Sequence, residues 1–317
     1  MAERSIIDQL DDAVSALLAK GEPAVSETDR ELSELIAVAR ELQGLPSEQF
    51  RAALKKQLGG KDDMSTAAAK AFKRPGFHTV TPYLITKPAV ELVDFVKQAF
   101  GAVESYRATG PGGVHCELRL GDSTLLIVGG PTLDPQPSAI HLYVPDVDDL
   151  YARAVAAGAT SLVEPSDQEY GERVAGVKDI GGNEWYIAKR FDETPIPDLY
   201  MVTLYFHPAG APKFIDFLGN AFGAEVVERH QSETGYVYHA KVRLGDTIVE
   251  MGEAHEQWQP MQSAIYMYVE DVDAVYSRAV SAGATSVLEP TDQPYGDRTA
   301  RVRDEFGNTW HLATWKG

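Results

Sequence analysis

A single cysteine, Cys116, is all that the 317 residues carry, so no internal disulfide can form. That usage fits a reducing compartment. Long apolar runs are missing too. Nothing approaches the ~18–20 residues that a membrane span needs, and the opening MAERSIIDQLDD lacks the apolar stretch of a signal peptide. The expectation is a cytoplasmic protein with no membrane partner. Positive charge is scarce: 29 Lys and Arg face 47 Asp and Glu, a formal net charge of −18. Nucleic acid demands a basic footprint and is excluded as a partner. The GxSxG, P-loop, dinucleotide and HExxH motifs are absent as well.

What the chain does contain is a repeat. Residues 138–190 recur without a gap as residues 263–315, with about thirty of fifty-three positions identical. Upstream, VTPYLITKPAVELVDFVKQAFGA (80–102) matches VTLYFHPAGAPKFIDFLGNAFGA (202–224), and HCELRLGD (115–122) matches HAKVRLGD (239–246). Two homologous domains follow, 77–190 and 200–317, joined by a linker at 191–199. Each breaks into two halves. A β-rich run is followed by an amphipathic helix, with Leu92, Phe95 and Val96 at helical spacing, and then by three short strands. Gly101 is the expected C-cap of the first helix and Asp146 the N-cap of the second. Each domain therefore reads β-α-β-β-β twice. Residues 1–60 differ: three narrow apolar stripes predict a helical extension, followed by a polar linker at 61–76.

The order of these motifs, closed by YGERVAGVKDIGGNEWYIAKR and again by YGDRTARVRDEFGNTWHLATW, resembles the PhnB-like branch of the vicinal oxygen chelate (glyoxalase/bleomycin-resistance/dioxygenase) superfamily. The resemblance covers about residues 77–317. It implies an α+β fold in which paired βαβββ units curl into half-open sheet cups with helices outside. It also implies that a divalent metal, where one is bound, takes ligands from the first and fourth strands of two units. The equivalent residues are Thr81, Leu126, Ala139 and Tyr186 in the first domain, and Thr203, Glu250, Ala264 and His311 in the second. The first set holds no good ligand. In the second, Glu250 and His311 are candidates for Zn, Ni, Mn or Fe, provided that both lie in one cup. If the units pair crosswise, that pair is split.

Other candidates come from alternation. Tyr83, Tyr143 and Tyr186 share the cup face of the first domain, and Tyr205, Tyr266 and Tyr268 that of the second. Such residues make flat walls suited to planar or cationic ligands. His115 and His239 occupy matching places, in stripes with Glu117 and Lys241 that either line the cups or form a solvated sheet face. His141 reads as pocket lining, His78 and His207 as surface or turn residues, and Cys116 as a buried thiol. Arg173 and Arg298 could stand at a cup mouth, but pairing with Asp179 and Asp304 is the expected arrangement; Trp185 and Trp310 are expected to pack under the helices.

Three functions remain open at this point. One is a small-molecule binding protein without a cofactor, of the kind whose relatives sequester antibiotics. The second is a metal-dependent lyase, isomerase or dioxygenase using the second domain. The third is a structural or regulatory homo-oligomer assembled through the N-terminal helices.

Overall fold

The computed structural model describes residues 71–255 and 258–317. The expected helical extension and most of the linker that follows it lie outside the described residues.

From residue 80 the order β-α-β-β-β runs four times. The first unit is β1 (Val80–Ile85), α1 (Ala89–Phe100), β2 (Val103–Gly110), β3 (Gly113–Leu120) and β4 (Ser123–Gly129). The second is β5 (Ala139–Tyr143), α2 (Val147–Ala156), β6 (Thr160–Gln168), β7 (Glu172–Lys178) and β8 (Glu184–Arg190). The third is β9 (Val202–Phe206), α3 (Ala211–Phe222), β10 (Glu225–Gln231), β11 (Val237–Leu244) and β12 (Thr247–Met251). The fourth is β13 (Ala264–Tyr268), α4 (Val272–Ser281), β14 (Thr285–Asp292), β15 (Arg298–Arg303) and β16 (Thr309–Thr314).

The helix ends follow local chemistry. Gly101, at φ 77°, closes α1 in the left-handed conformation that favours glycine. Asp146 caps α2 by accepting the Asp149 N–H, and Asp271 caps α4 by accepting from Ala274. Helix α1 buries Leu92, Val93, Val96 and Ala99 on one face, as its 3.6-residue spacing requires.

Two eight-stranded sheets result. The first runs β14-β15-β16-β13-β1-β4-β3-β2, and the second β10-β11-β12-β9-β5-β8-β7-β6. Each sheet thus joins one unit of the first copy to one unit of the second. The joints are antiparallel: Thr81 faces Tyr266 across β1 and β13, and His141 faces Thr203 across β5 and β9. The apolar cores are divided differently. One cluster packs α1 and α2 with Leu84, Leu118, Ile140, Trp185 and other residues, nearly all of the first copy. The other packs α3 and α4 with Phe206, Val242, Ile265, Trp310 and their neighbours in the second. Cores follow the copies while sheets cross between them.

Trp185 and Trp310 do lie in these cores, fully buried against Phe100 and Phe222. Cys116 is fully buried as expected. The arginine pairing differs from expectation. Arg173 binds Asp148 and Asp167, and Arg298 binds Asp273 and Asp292, all near the surface. Asp179 and Asp304 are buried instead. Each holds its own loop by accepting from backbone amides, from an asparagine (Asn183 or Asn308) and from the indole N–H of Trp185 or Trp310. An acceptor-only carboxylate suits such a cluster of donors.

Candidate functional site

Strand alternation puts Ile140, Leu142, Leu204 and Val249 of the second sheet against the helices, and turns their neighbours to the opposite face. On that face, His141 of β5 stands beside Tyr186 of β8, and Tyr205 of β9 beside Glu250 of β12. Four strands from two copies of the repeat thus converge there.

Glu250 is the centre of this face and has no exposed surface. Its Oε2 lies 2.5 Å from His141 Nδ1, and its Oε1 accepts from the Tyr143 hydroxyl at 2.9 Å. Lys241 Nζ and His239 Nε2 stand 3.9 and 4.0 Å from Oε1. Burial alone would push this carboxyl up. The electrostatic pull and hydrogen bond of His141, followed by His239 and Lys241, outweigh that effect and hold it at about 2. An ionised carboxylate only accepts, so His141 Nδ1 carries the proton of that bond. No described residue bonds His141 Nε2, which leaves it available to a ligand.

Around this pair stand aromatic walls. Tyr205 meets His141 edge-on at 5.5 Å, Tyr186 lies 5.9 Å from Tyr205, and Trp258 stacks on His207 at 5.8 Å. Burial raises the Tyr143 and Tyr205 phenols far above their usual range, and the Glu250 charge adds to that, so both stay neutral donors. Burial likewise lowers His239 and takes His207 down to about 4. Burial raises the half-buried Glu172 carboxyl, whose side chain forms no hydrogen bond with a described residue. A cavity of about 440 Å³ opens beside Tyr143, between Arg190 and the connector residues Ile196 and Leu199.

The matching face of the first sheet has other chemistry. By the offsets of the repeat, Leu126 stands for Glu250, Tyr266 for His141, His311 for Tyr186 and Arg301 for Gly176. Tyr83 meets His311 edge-on at 4.7 Å and Tyr266 at 6.0 Å. Arg74, from the segment before β1, grips Glu117 with two hydrogen bonds of 2.6 and 3.1 Å. Burial takes His311 down to about 3, with the Arg301 charge adding to the effect.

Every candidate named from the sequence therefore falls on one of two faces, but not in the groups expected. His141, Tyr143, Tyr186, Tyr205, His239 and Glu250 share the second sheet; Tyr83, His115, Tyr266, Tyr268 and His311 share the first. Grouping by copy fails because the β1–β13 and β5–β9 joints cross between copies. Glu250 and His311 are consequently split and cannot hold one ion together. Glu117 and Lys241 are buried rather than on a solvated face. His207 is not a turn residue: it extends the parity of Thr203 and Tyr205 past the end of β9 and is buried. The same parity could have found it. Arg74, Glu172, Arg301 and Trp258 carried no such signal, since their relevance comes from the strands brought opposite them.

The ligand positions implied by the resemblance become Ala139, Tyr186, Thr203 and Glu250 on the second sheet, and Thr81, Leu126, Ala264 and His311 on the first. One carboxylate or one imidazole is too few for a catalytic ion, which keeps about three protein ligands. Both Glu250 oxygens are already engaged, with an ammonium nearby. Among the described residues no cluster of three His, Cys, Asp or Glu is arranged to hold a metal. These donor sets do not fit a divalent ion.

A family model described as the Glyoxalase/Bleomycin resistance protein/Dioxygenase superfamily matches residues 77–187 and 209–312. An uncharacterized protein of Mycobacterium bovis is 33% identical over 134 residues, which span 38% of this chain and 88% of that protein. Among solved structures, glyoxalase I from Zea mays superposes with a TM-score of 0.58 at 14% identity, covering 74% of this chain and 91% of that one. A putative dioxygenase from Bacillus subtilis gives 0.52 at 15%, covering 78% and 87%. These likenesses carry the fold, and the family model covers both copies of the repeat. The chain belongs to the Glyoxalase/Bleomycin resistance protein/Dioxygenase superfamily.

Proposed function

We propose that the protein binds a small organic molecule without a metal, in the cup of the second sheet around Glu250. The observation that carries this reading is the fully buried Glu250 carboxylate, held by His141 and Tyr143 beneath aromatic walls. Burying a charge is costly unless it is paired, so the pair fixes geometry at that point. It sets the orientation of His141 and turns Nε2 toward the ligand. The Glu172 carboxyl, with no hydrogen bond to a described residue, and the tyrosine walls favour a planar, cationic or donor-bearing molecule. An antibiotic of that chemistry falls within this class.

Titration with benzamidine, a planar aromatic cation, tests the reading. Binding is expected in the presence of a chelator, weakened about tenfold or more by Glu172→Gln or His141→Phe. Stoichiometric Zn, Ni, Mn or Fe in the purified protein, lost on Glu250→Ala, would sink the metal-free reading. The carboxylate–imidazole pair also favours a second reading, a general base that removes a proton from the bound molecule. Exchange of a ligand C–H for deuterium in heavy water, abolished by His141→Phe, separates catalysis from binding alone.

A further inference from the structure

The cup of the first sheet carries a feature that the second lacks. Arg301 Nε and His311 Nε2 are both buried, and neither has a hydrogen-bond partner among the described residues. The two residues face each other directly across β15 and β16. Arg301 also enters no ion pair with a described residue. The carboxylates of this face have other partners: Arg74 binds Glu117, and its charge also draws on Asp297. A buried polar atom without a partner is costly, so the Arg301 donor and the His311 ring nitrogen, side by side, ask for an occupant.

The repeat sharpens the point. In the second sheet Gly176, without a side chain, stands where Arg301 does in the first, and Glu250 supplies a negative floor where Leu126 supplies an apolar one. At these two positions the first cup gains a cation and loses a carboxylate relative to the second. Tyr83 and Tyr266, in edge contact, form the walls beside these two unpartnered groups. We propose that the first cup is a second, separate ligand site. It takes a planar molecule bearing a carboxylate, whose oxygens lie against the Arg301 guanidinium and the His311 imidazole while its ring rests on Tyr83 and Tyr266. A guanidinium suits this role because its fork of donors matches a carboxylate. The site does not depend on the reading of the Glu250 cup.

Calorimetric titration of the full chain with 4-bromobenzoate tests it. The expected result is binding that Arg301→Gln weakens about tenfold or more and that Glu172→Gln, in the other cup, leaves unchanged. The neutral amide, 4-bromobenzamide, binds correspondingly more weakly. No binding, equal affinity for the amide, or an affinity untouched by Arg301→Gln overturns the proposal. Crystals of the unaltered protein grown with 4-bromobenzoate give an answer that does not require the variant to fold. The bromine signal belongs in the first cup beside Tyr83, and a signal only elsewhere contradicts the assignment. Failure of benzamidine to bind would count against the Glu250 cup alone.

Discussion

Glu250 was legible as an anomaly, a charge inside the apolar run Thr247-Ile248-Val249-Glu250-Met251. Its partners were not, because His141 and Tyr143 lie over a hundred residues earlier and in the other copy of the repeat. The pairing has a consequence for acid stability. The folded carboxyl titrates at about 2, below its unfolded value near 4.5. Its contribution is therefore complete above about 4.5, and is lost as the pH falls from there toward 2. At neutral pH, Glu250→Gln should lower the unfolding free energy by on the order of 3 kcal/mol. Urea unfolding of both proteins from pH 7 to 2.5 checks this, and the gap should close as the medium is acidified. A gap that stays constant would mean that the charge is not what holds the site.

At the scale of elements, the local signals were sufficient for strands and helix ends. The strands alternate, Gly101 ends α1, and Asp146 caps α2 as their residue types dictate. The loops Asp179–Asn183 and Asp304–Asn308 were misread because an aspartate beside an arginine-bearing segment suggests a salt bridge. The buried indole that claims it becomes visible only in the fold. Asp179→Ala leaves the Trp185 indole and the turn amides without their acceptor, and should destabilise the protein by roughly 2–3 kcal/mol. Arg173→Ala removes only exposed ion pairs and should cost about 1 kcal/mol or less. Denaturant midpoints of the two variants make the comparison, and equal effects would refute this division.

Unit pairing is where the sequence was silent. Strands β5 and β13 are near-copies, as are β1 and β9, so apolar pattern alone cannot choose between partners. The choice is expressed only at the level of the whole molecule, where each copy keeps its own core and lends one unit to each sheet. A single copy therefore has two open sheet edges, β1 and β5, that another chain can satisfy. Residues 71–190 produced alone should associate as a dimer by sedimentation. A stable folded monomer would contradict the crossed arrangement.

The claim that matters most is that one site is assembled from both copies, with His141 of the first bound to Glu250 of the second. The repeat itself supplies the substitutions for a double-mutant cycle: His141→Tyr and Glu250→Leu, the residues found at Tyr266 and Leu126. Unfolding free energies of the two single variants and the double variant give the coupling directly. A coupling of about 1.5 kcal/mol or more is predicted, with the double variant less destabilised than the sum of the singles. Effects that add within about 0.5 kcal/mol would show that the two residues do not meet, and that the site is not built across the copies.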